Sequence, residues 1–147
     1  LSVANTADSA FQSGSTIGSG GATLPDSIDI SGIKFYNSAA DVQVPILNID
    51  SASNVRITNT SFESNVKAGT FYPNVVEILS TNTSTHNVVL DKVQILGGGN
   101  GIVNMGSTTK AVSVVNSQFD NLTNTAVVLN SIDSFSSINN YYGEVIT

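Results

Sequence analysis

The sequence predicts an all-β solenoid, a right-handed, single-stranded parallel β-helix of about five coils with three strands each. Three observations predict it. A loose motif of apolar-x-apolar, two bend residues, then small or apolar, x, and a large apolar residue recurs five times. A shorter apolar-x-apolar strand falls between successive copies. Aromatic and asparagine residues return at the same place in copy after copy, which an unrelated series of strands would not require.

The five copies occupy residues 28–35, 55–62, 88–95, 112–119 and 135–142. Between them lie the pairs Leu47/Ile49, Val76/Ile78, Val103/Met105 and Val127/Leu129, each read as two inward positions flanking one outward residue. Copy spacing drifts: Phe135 follows Val112 by 23 residues, whereas Val88 follows Val55 by 33. Such drift suits a solenoid whose strands hold register while its loops vary in length.

Stacked coils place equivalent residues ~4.8 Å apart, so inward side chains should form columns along the axis. One predicted column holds Phe35, Phe62, Ile95, Phe119 and Tyr142. A second holds Ile30, Ile57, Leu90 and Val114, ending weakly at Ser137. At the bend inside the longer motif stand Asn59, Asn116 and Asn139, with Gly32 and Lys92 at the same place. Asparagine suits that bend because it tolerates left-handed backbone angles and its amide reaches the next coil.

On these residues, residues 27–147 resemble the pectin-lyase-like superfamily of right-handed parallel β-helices, whose second turn often carries such an asparagine ladder, and within it the phage tailspikes. A β-sandwich or jelly roll would also show short alternating strands; the in-phase aromatics, the in-phase asparagines and the third strand in every repeat favour the solenoid. Residues 1–26 are rich in Ser, Gly, Ala and Thr and run up to a turn at Leu24-Pro25-Asp26, which reads as a linker or irregular cap. The opening Leu1 and the strand-like final residues read as a piece of a longer chain.

Composition narrows the function classes. Lys, Arg, Asp and Glu supply only 11% of the 147 residues, and polarity comes mainly from Ser, Asn and Thr. A net charge of -6 with five basic residues opposes binding to a phosphate backbone, so nucleic acid is not an expected partner. No apolar run approaches the ~20 residues of a spanning helix, so membrane insertion is not expected. Without cysteine there is neither a disulfide framework nor a thiolate metal site. The scattered Asp residues lack the oxygen density of a calcium loop, and Gly97-Gly98-Gly99-Asn100-Gly101 lacks the Lys-Ser/Thr of a P-loop; no cofactor is expected.

In enzymes of the resembling superfamily the groove lies along the first sheet, which here maps onto the shorter strands. Their outward column reads Asn48, Glu77, Asn104 and Val128, with Asp50 two residues beyond Asn48. Glu77 and Asp50 would then stand on neighbouring coils at a diagonal of ~7 to 8 Å. That separation falls in the ~6.5 to 9.5 Å range with which inverting glycosidases admit a water between acid and base, making the two a candidate catalytic pair. Solvent-facing carboxylates on a sheet serve equally as plain solvation.

Phe71 and Tyr72, in the long insertion before Glu77, are candidate sugar platforms, or alternatively a lid over the core. Asn48, Asn104 and the sole histidine, His86, complete the candidate substrate contacts, although His86 also reads as a surface turn residue.

The resemblance implies a virion-tail or extracellular protein that recognises, and in some cases depolymerises, bacterial surface polysaccharide as a parallel homotrimer. Two alternatives stand beside it. One is a purely structural shaft, favoured by the scarcity of charge and histidine. The other is a free polysaccharide lyase or hydrolase, disfavoured because neither a basic proton-abstracting cluster nor a compact Asp cluster is present.

Overall fold

A computed structural model describes residues 2–4, 15–18, 27–37, 45–64 and 74–143. Those residues contain sixteen strands and no helix, and every strand pairing is parallel. Successive strands rotate through three sheets, so each pairs with the strand three places away in the chain. This is a parallel β-helix with three strands per coil, and the uniform parallel pairing excludes the antiparallel sandwich.

The first sheet comprises β2 (Ser15–Gly18), β5 (Leu47–Asp50), β8 (Val76–Leu79), β11 (Ile102–Asn104) and β14 (Val127–Leu129). The second comprises β3 (Ile28–Ser31), β6 (Ser53–Thr58), β9 (His86–Asp91), β12 (Lys110–Val115) and β15 (Phe135–Ile138). The third comprises β1 (Ser2–Ala4), β4 (Lys34–Asn37), β7 (Ser61–Ser64), β10 (Gln94–Leu96), β13 (Gln118–Asp120) and β16 (Tyr141–Tyr142). Within the segment read as a linker or irregular cap, β1 pairs with β4 and β2 with β5.

Both predicted columns form in register. Phe35, Phe62, Ile95, Phe119 and Tyr142 align across five strands of the third sheet. The first four are buried. Phe35 and Phe62 stack at 4.9 Å between ring centroids, and Phe119 and Tyr142 at 5.3 Å. Each pair lies nearly parallel because in-register parallel strands superpose equivalent side chains. Ile30, Ile57, Leu90 and Val114 likewise align and are buried, while Ser137 ends the column exposed.

The bend is one conformation carried by three residue types. Gly32, Asn59, Lys92, Asn116 and Asn139 all have positive φ, between 48° and 68°. Asn139 Nδ2 donates to Asn116 Oδ1 at 2.9 Å, and Asn116 Nδ2 donates to Asp91 Oδ1 at 2.9 Å. Where Lys92 breaks the ladder, the preceding Asp91 supplies the acceptor. A second left-handed column, Asn54, Asn87 and Ala111 at φ 53°, 51° and 51°, kinks the second-sheet strands just before their first core residue. Here too a ladder rung forms, Asn87 Nδ2 to Asn54 Oδ1 at 3.1 Å. Gly97 adopts φ 79° with no room for a side chain, because a Cβ would overlap the Ser64 carbonyl oxygen of the neighbouring coil.

The fourth strand of the first sheet, β11, corrects the predicted phase. Ile102 aligns with Val76 and Asn104 with Ile78, so Ile102 and Asn104 point inward instead of Val103 and Met105. Val103 takes the outward rank beside Glu77, and Met105 is 56% exposed. The adjacent apolar residues Ile102 and Val103 are compatible with either phase. What decides is that Asn104, once inside, donates its amide to the carbonyls of Gly106 and Asn130, so its burial is partly compensated.

Candidate functional site

The register of the first sheet brings the predicted carboxylates to neighbouring strands. Asn48 pairs with Glu77 and Asp50 with Leu79, leaving Asp50 and Glu77 two positions apart across β5 and β8. Both occupy alternate positions to the buried Leu47, Ile49, Val76 and Ile78, and therefore lie on the outer side of the sheet.

Each carboxylate is engaged by the chain itself. Asp50 is only 9% exposed. Its Oδ1 accepts from Ser51 Oγ at 3.0 Å and from the Thr81 backbone N–H at 2.8 Å. Ser51 Oγ in turn accepts from the N–H groups of Asn82 and Thr83, at 3.1 and 3.2 Å. Asp50 and Ser51 thus grip the turn that follows β8, satisfying donors that sheet pairing leaves over.

Glu77 is half-buried and accepts from Asn74 Nδ2 at 2.6 Å. Asn74 Oδ1 accepts from Asn100 Nδ2 at 2.8 Å, and Asn100 Oδ1 accepts from the Thr125 N–H at 3.2 Å. This third amide chain steps across three coils and ends on the Glu77 carboxylate. Asn74 and Asn100 are hydrogen-bonded neighbours of the Glu77 carboxylate that sequence reasoning missed. Their signal was present: Asn74, Asn100 and Thr125 stand two positions before Val76, Ile102 and Val127, respectively.

The other candidates disperse. Asn48 is half-buried beside Glu77, where it was expected. Asn104, expected on the outer face, is fully buried in the core and is corrected from a substrate contact to an internal prop of the Gly106 and Asn130 carbonyls. His86 opens β9 on the second sheet, between Ser53 and Lys110 of the adjacent strands, and is not part of the first-sheet pair. Phe71 and Tyr72 lie outside the described residues. Among the described residues no group of three His, Asp or Glu could hold a metal ion, and no helix is long and apolar enough to cross a membrane.

An inverting pair requires one carboxylate to polarise a water and the other to deliver a proton, both open to substrate. With Asp50 nearly covered and one of its oxygens holding two donors, this arrangement suits anchoring of turns better than acid–base work. The fold and site together define a three-sheet β-solenoid with amide ladders at its corners. No family model, curated protein or solved structure matches the chain.

Proposed function

We propose that this chain is a rigid β-solenoid segment of a virion tail or another extracellular fibre of the tailspike kind, which binds bacterial surface polysaccharide without cleaving it. The observation that carries the non-cleaving part is the engagement of Asp50 by Ser51 and Thr81. The binding part is supported by outer surfaces whose polarity comes from uncharged Ser, Asn and Thr, the groups that exchange hydrogen bonds with sugar hydroxyls at low desolvation cost. Three such solenoids packed side by side as a parallel homotrimer complete the proposal, in keeping with the resemblance to tailspikes.

The test is retention of purified capsular and O-antigen polysaccharides by the folded chain, followed by assay of reducing ends, with sedimentation giving the oligomeric mass. Retention without release is expected. Release that disappears in Glu77→Gln would establish a hydrolase instead, and failure to retain any glycan would leave the shaft reading, which the self-satisfied ladders also suit.

A further inference from the structure

The geometry points to the corner between the second and third sheets as the place where polysaccharide binds, with an uncharged glycan chain lying along the solenoid axis; this inference rests on the binding function proposed above. A groove of about 280 Å³ follows that corner over three coils. One wall is the column of left-handed residues Lys92, Asn116 and Asn139. The opposite wall is Gln94, Gln118 and Tyr141, aligned in register across β10, β13 and β16. Its floor is the buried pair Val93 and Ser117.

The walls differ in a way that suits a glycan. The asparagine wall is held by the ladder bonds from Asn139 to Asn116 and from Asn116 to Asp91, so its shape is preset and ordering it on binding costs little. In the floor, the Ser117 hydroxyl is consumed, donating to the Val115 carbonyl at 2.7 Å and accepting from the Val93 N–H at 3.2 Å.

Against this fixed side stand Gln94 and Gln118, whose side-chain amides make no hydrogen bond among the described residues. Each offers one acceptor oxygen and two donor hydrogens, the complement of a vicinal pair of hydroxyls. The two repeat at ~4.8 Å, the step of one coil, a spacing comparable to the length of a pyranose unit. Tyr141 continues the same column and is 60% exposed, presenting an aromatic ring to the C–H face of a sugar at the end of the groove.

Charge selects the class of glycan. Lys92 is the sole cation of the groove, and Asp91, which accepts from Asn116, stands next to it in the chain. Together with the net charge of -6, this disfavours a polyanionic chain. A second, larger groove of about 500 Å³ on the second sheet, lined by Asn54, Val89, Ser113 and Phe135 among others, is more apolar and lacks an in-register run of glutamines.

The experiment uses an array of oligosaccharides cut from bacterial capsules and O-antigens, sorted into neutral and acidic sets. Neutral members should bind. Tyr141→Ala should weaken them by about tenfold and Gln118→Ala by several-fold, while Tyr141→Phe retains affinity and Ser113→Ala, in the other groove, changes nothing. Unchanged thermal midpoints in Gln118→Ala and Tyr141→Phe would show that the coils remain intact. Neutral binding that both alanine variants preserve would overturn this location and leave the binding function standing. Binding confined to acidic glycans would overturn the ligand class, and an array with no binding at all would overturn the location and the function together.

Discussion

The corner between the second and third sheets and the outer face of the first sheet are built from the same coils, yet they dispose of their polar groups differently. At the corner one left-handed conformation repeats five times, and asparagine amides bond to one another along the axis. On the first sheet the polar groups bond to turns: Asp50 and Ser51 hold residues 81–83, and Asn100 and Asn74 lead to Glu77. Repetition at the corner leaves the adjacent glutamine column unengaged and presents it to solvent. Accommodation of variable loops on the first sheet consumes the very carboxylates that could have performed chemistry. The difference shows that the regular corner satisfies its asparagines along the axis and leaves neighbouring glutamines open, whereas the irregular turns of the first sheet engage both of that sheet's carboxylates.

Substitutions in the two regions should differ in cost. The largest effect belongs to the core that the corner encloses: Phe62→Ala, beneath the stack with Phe35, should cost about 3–5 kcal/mol in denaturant unfolding. A cost under about 1 kcal/mol would mean that the aromatic column is loosely packed. Next comes Asp50→Ala, which leaves the Thr81 N–H without its charged acceptor and should cost about 1.5–3 kcal/mol by the same measurement. Asn104→Ala should cost about 1–3 kcal/mol, because the Gly106 and Asn130 carbonyls lose their buried donor.

Smaller shifts sharpen the contrast. Lys92→Asn places the preferred residue at φ 55° and restores the missing rung, and should stabilise by about 0.5–1 kcal/mol, read as a higher thermal midpoint. Glu77→Gln keeps an oxygen for Asn74 and should change stability by less than about 0.5 kcal/mol. If Glu77→Gln proved as costly as Asp50→Ala, the first-sheet carboxylates would form one coupled network instead of two separate anchors.

The longer motif was legible residue by residue because strong apolar and aromatic positions recur at fixed offsets from a bend that only a few residue types fill easily. Even Lys92, the least suitable of them, adopts the same backbone as its neighbours, since coils above and below dictate the turn. Legibility failed where two apolar residues are adjacent. Ile102 and Val103 support either phase, and the outcome turned on carbonyls of Gly106 and Asn130 that local pattern cannot weigh.

The diagonal of Asp50 and Glu77 was read correctly from register, but their engagement was not, because Ser51, Asn74 and the Thr81 N–H lie in turns outside the strand pattern. The second left-handed column was missed for another reason. Its members Asn54, Asn87 and Ala111 share no side-chain chemistry in the last step, only a backbone angle.

Equivalent residues of successive coils lie directly over one another, and cysteine cross-linking reads that stacking in a chain with no native cysteine. Asp29→Cys with Arg56→Cys, and Ser113→Cys with Ser136→Cys, join positions that pair in register at opposite ends of the second sheet. Their ~4.8 Å Cα spacing falls within disulfide range, so both pairs should cross-link on oxidation. The pair Asp29→Cys with Asn54→Cys, two positions out of register, should resist. Equal oxidation of the shifted pair, or failure of both aligned pairs, would contradict the stacked register on which the fold, the ladders and the proposed binding groove depend.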